Sequence, residues 1–84
     1  MDVSNTTLTE RIARTLAGLD HSANAAGAES SAATSVDETW RAYLAQADAI
    51  LRTIREPSAA MSAAGDTATW AAMIEAAIVE SELV

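Results

Sequence analysis

Between Val36 and Pro57 an apolar side chain returns at almost every helical turn. Val36, Trp40, Tyr43, Leu44, Ala47, Ile50, Leu51 and Ile54 form one continuous stripe. Pro57 closes it, because proline lacks an N–H and the residue before it avoids the helical region. The stripe therefore predicts a helix over 36–56. Ser35 and Glu38 have capping-box spacing, and Asp37 sits where the positive helix end favours a carboxylate. The opposite face carries Arg41, Asp48, Arg52 and Glu56, so that Asp37–Arg41, Asp48–Arg52 and Arg52–Glu56 are each one turn apart. A helix so divided needs neighbours to cover its apolar side.

Two more segments can supply them. Leu8, Ile12, Leu16 and Leu19 share one face of a helix predicted over 7–19, with Thr7 and Glu10 as a capping box and Glu10–Arg14 one turn apart. A short helix is predicted over 58–64, with Gly65 as its stop. Asp66 or Thr67 then caps a last helix over 67–83, whose inner face is read as Trp70, Met73, Ile74, Ala77 and Ile78. From Asp20 to Thr34 the chain offers only Ala, Ser, Thr, Asn, Gly, His and acidic residues. It can bury little there, and a mobile loop over 20–34 is expected. The expected fold is all-α: one domain over 1–84, a small bundle of three main helices and a short corner helix, with the mobile loop after the first helix.

Such a bundle has a thin core. Half of the 84 residues are apolar, but many are alanine, and the aromatic set is two Trp and one Tyr. Alanine removes little area from water, so the margin over chain entropy is narrow. There is no cysteine, hence no disulfide and no thiolate metal site. A chain of this size often relies on a second copy, and a homodimer is one expectation.

Twelve acidic residues stand against five arginines and no lysine, for a net charge of −7. That balance argues against direct binding to nucleic acid or an anionic membrane, and favours a basic partner. Arginine without lysine, among abundant alanine, suggests GC-rich bacterial coding. No apolar run reaches the ~18 residues of a membrane span. Met1 to Asn5 carries an acid and no Lys or Arg, unlike the basic start of a signal peptide; the bacterial cytoplasm is the expected location.

Catalytic patterns are missing. His21, the one histidine, lies beside Asp20 with neither Cys nor a second His to complete a metal site, and is read as a solvated loop residue. No serine sits in a Gly-x-Ser-x-Gly elbow, and Gly18, Gly27 and Gly65 are too scattered to cradle a phosphate. Trp40, Tyr43 and Trp70 could stack on bases, but no cationic groove accompanies them, and core packing is the better reading. No enzyme, cofactor or metal is expected. Glu75, Val79, Glu82 and Leu83 instead fall outward on the last helix, where aliphatics among acids either mark a contact surface or fold back as the helix frays near Glu80. With Asp37, Glu38 and Asp66 they are the candidate partner-binding residues. Ala42, Ala45 and Ala49 on the back of the second helix would admit a further helix, or simply favour the helical state.

The run Ile50-Leu51-Arg52-Thr53-Ile54-Arg55-Glu56-Pro57-Ser58-Ala59-Ala60-Met61, then Ala64-Gly65, then Trp70-Ala71-Ala72-Met73-Ile74-Glu75-Ala76-Ala77-Ile78, resembles the C-terminal half of small phage and prophage proteins of Proteobacteria. The resemblance implies a mobile-element setting. In size, charge and such an origin the chain is also similar to anti-CRISPR proteins, which implies a host partner: a type I CRISPR effector whose basic nucleic-acid path is covered by carboxylates. The alternatives are a homo-oligomeric phage assembly accessory and an antitoxin-like regulatory partner.

Overall fold

The computed structural model describes residues 3–25 and 36–82, the backbone alone at 22–25. Among them there is no strand, and the fold is a small all-α bundle. Helix α1 spans Leu8–Ala25, α2 Leu44–Ile54, α3 Ala59–Ala64 and α4 Thr67–Glu82. No helix among these residues is long and apolar enough to cross a membrane.

Three of the four starts have a local side-chain cause, and α2 follows the 3-10 turn with no side-chain cap. The Glu10 N–H donates to Thr7 Oγ1 at 3.0 Å, the Met61 N–H to Ser58 Oγ at 3.3 Å, and the Thr69 N–H to Asp66 Oδ1 at 2.9 Å. These bonds satisfy N–H groups that have no partner inside the helix. The Glu10 carboxylate does not complete its capping box; it turns to Arg14 at 2.8 Å. Gly65 ends α3 in an extended conformation, its N–H donating to the Met61 carbonyl at 3.1 Å, and not in the left-handed form common at helix ends.

Three expectations are corrected. Helix α1 continues past its expected end at Leu19 through residues 20–25 of the expected loop; residues 26–34 lie outside the described residues. The helix expected over 36–56 is not uniform. Residues 36–39 are α-helical, Trp40–Tyr43 form a 3-10 turn, and α2 follows and stops at Ile54. With three residues per turn, Trp40 and Tyr43 eclipse one another and both face α1. The buried line of α1 is also rotated. Ala13, Ala17 and Thr9 are buried, Leu8, Ile12 and Leu16 flank them, and Leu19 is 64% exposed. The bulk of the Trp40 indole explains the rotation: it seats against Ala13, Ala17 and Ala47, where larger side chains would hold it away.

The core has two parts. One is Trp40 in its alanine seat, with Ile12, Val36 and Tyr43 at its margin. The other joins Leu51 to Ile74, Ala77 and Ile78, with Leu8, Ile12, Ile54 and Trp70 against it. Ile12 touches both and couples them. Leu51 is the largest side chain that is fully buried. Burying each such aliphatic contributes about 1.5–3 kcal/mol, so few residues carry the stability. Met73, read as part of the inner face of α4, is 65% exposed; the buried line there is Ile74, Ala77 and Ile78. Leu44 and Ile50 sit at the exposed edge of the α2 stripe. Ala42, Ala45 and Ala49 are exposed.

Candidate partner-binding surface

Helices α2 and α4 run antiparallel, since Ile54 meets Trp70, Arg55 meets Glu75 and Arg52 meets Glu82. A ladder of charge lies along their outer seam. Arg52 pairs with Asp48 at 2.8 Å and approaches Glu82 at 3.7 Å, while Arg55 bonds to Glu75. The hydrogen bond to Asp48, with Glu82 and Glu75 nearby, raises the affinity of the Arg52 guanidinium for its proton. A second group forms where α1 meets residues 36–39. Arg14 bridges Asp37 at 2.6 Å and Glu10 at 2.8 Å, and these bonds hold its proton more firmly, that to Asp37 most. The Arg14 and Arg41 guanidiniums lie 5.0 and 4.4 Å from the centroid of the Trp40 ring.

The candidate residues therefore do not form one patch. Glu75, Val79 and Glu82 are exposed on α4, and both carboxylates are tied to arginines of the α2 side. Asp37 is held by Arg14 and not by Arg41, whose cation turns to Trp40. Glu38 is exposed beside it. Asp66 caps α4 at the far end, roughly 24 Å from Glu82 along the axis at 1.5 Å per residue. Leu83 lies outside the described residues. Arg52 meets Asp48 and Glu82, so the expected Arg52–Glu56 pair is not made; Glu56 is already past the end of the helix. Asp20, Glu38, Glu56, Asp66 and Glu80 make no ion pair with any described residue.

His21 is not a solvated loop residue. It is half-buried in α1, and its Nε2 lies 2.8 Å from Thr39 Oγ1. One turn away the Tyr43 hydroxyl donates to Asp20 Oδ2 at 2.8 Å, which raises the phenol's affinity for its proton. These bonds fasten Asp20 and His21 of α1 to the 3-10 turn and to the residue before it. Among the described residues no group of three His, Cys, Asp or Glu side chains could hold a metal ion. No described carboxylate is buried.

Sequence reasoning missed a groove at the α3–α4 corner. Pro57, Met61, Trp70 and Met73 line about 390 Å³ there, with Gly65 and Asp66 at its end. No residue of α3 is buried, and Met61 is 42% exposed. The Trp70 indole N–H already donates to the Ile54 carbonyl at 2.7 Å, so the face it turns to the groove is purely apolar. The signal was present: a six-residue helix cannot bury a stripe, and its methionine had nowhere to go.

No protein-family model, curated protein or solved structure matches this chain.

Proposed function

We propose that this is a non-enzymatic acidic binding protein of phage or prophage origin, acting in the cytoplasm of a bacterial host. Its partner is a host protein complex with a basic nucleic-acid-binding surface, and a type I CRISPR effector is the specific reading. Carboxylates take the place of phosphates on that surface and exclude target DNA. The observation that carries the reading is the placement of charge. Every described carboxylate is at least partly exposed, and Asp20, Glu38, Glu56, Asp66 and Glu80 make no ion pair with a described arginine. Charges left so are available to a basic partner and accelerate encounter at low salt. Glu75, Glu82 and Asp37, already neutralised by arginines, contribute less to that attraction than Glu38, Glu56 and Glu80.

The direct test mixes the protein with purified type I complexes and measures target-DNA binding. Inhibition is expected, and reversal of Glu38, Glu56 and Glu80 to lysine should abolish it. Undiminished DNA binding across the type I subtypes discards the CRISPR reading. Capture of a host partner that survives molar salt discards the electrostatic one.

A further inference from the structure

The α3–α4 groove is apolar, open and acidic at one end. Two partly exposed methionines and the bare face of Trp70 line it, and Asp66 is the one ionisable side chain among its described lining residues. Glu56, next to Pro57, is exposed and makes no ion pair with a described residue. Methionine is unbranched and polarisable, and surfaces rich in it adapt to apolar side chains of a docking helix. At Met73 the groove runs into a second trough toward Val3 and Leu8, with Arg11 and Glu80 on its flanks. From Thr69 to Glu80 the two extend along α4 for about 16 Å, three turns of helix.

We propose that this groove takes an amphipathic basic helix of the partner protein. Its apolar side chains would enter between Met61 and Met73, and its cations would sit toward Asp66 and Glu56. A second copy of the chain is disfavoured, because it would set the same carboxylates against Asp66 and Glu56. The proposal rests on the reading of a basic partner and gives that partner a shape.

The test uses the whole chain with 13C-methyl-labelled methionine, which gives signals for Met1, Met61 and Met73. The probe is a synthetic amphipathic peptide of leucine and lysine; the control has glutamate for every lysine. The lysine peptide should shift the Met61 and Met73 methyls, and the control should shift neither. The double variant Met61→Gln, Met73→Gln changes only exposed side chains and should weaken binding at least tenfold. Asp66→Asn keeps the cap and should weaken it several-fold. Binding that leaves both methyls unmoved yet is lost on reversing Glu38, Glu56 and Glu80 would overturn the groove while sparing the acidic reading. Equal binding of the glutamate peptide overturns the proposal, and so do methyl shifts driven by protein concentration alone, which assign the groove to a second copy.

Discussion

Replacing Thr9 with valine should make the protein more stable. Thr9 is 2% exposed, and its Oγ1 has no hydrogen-bond partner among the described residues. A buried hydroxyl without a partner costs about 1–3 kcal/mol. Valine has the same branched shape and a similar helix propensity, so it removes that cost without a new void. The hydroxyl-bearing residue borders a cavity of about 190 Å³ between α1, Trp40 and Ser81, which leaves room for the added methyl group. A gain of about 1 kcal/mol is expected, which for a domain of this size raises Tm by roughly 4–8 °C. Thr9→Ser, which keeps the hydroxyl and loses a methyl, should cost about 1 kcal/mol. Urea titration followed by tryptophan fluorescence and by far-UV circular dichroism measures both, and coincident curves justify a two-state fit. The reasoning fails if both variants lose stability, for that pattern belongs to a hydroxyl with a partner.

Leu51→Ala should cost about 2–5 kcal/mol, since Leu51 is fully buried against Ile74 and Ile78; thermal denaturation should show a Tm lower by ten degrees or more. Gly65→Ala should stabilise by about 0.4–1 kcal/mol, because the backbone there is extended and a Cβ would meet nothing within 4 Å; differential scanning calorimetry reads the shift. The Thr69 N–H bond holds the Asp66 carboxyl below its usual range, so the cap's contribution is present above that range and is lost as pH falls through the lowered value. Asp66→Asn caps without titrating, and the difference in Tm between the two proteins should therefore change only at acid pH.

What could be read from the chain was local. Pro57 and the capping side chains Thr7 and Asp66 act on their own neighbours, and so do the Glu10–Arg14 and Asp48–Arg52 pairs. The rotation of α1 was not legible, because periodicity weighs leucine above alanine. Which line faces inward was decided by the shape of Trp40, more than twenty residues away. Charge pairing failed in the same way. Arg14 reaches Asp37 and Arg55 reaches Glu75 across helices, and no spacing rule counts such partners. Residues 20–25 looked like loop for want of large apolar side chains, but His21 and Asp20 anchor them through Thr39 and Tyr43. The groove was hidden because Met73 was placed inside a face that Ile74, Ala77 and Ile78 already fill.

Helix α3 contains no buried residue. Its surface can accordingly be rewritten at little thermodynamic penalty, since mutations there leave both parts of the core untouched. Selection for a new binding target could vary Ala59, Ala60, Met61 and Ser62 freely, while Leu51 and Trp40 keep the scaffold intact. Fold maintenance and surface variation thus occupy separate stretches of the polypeptide.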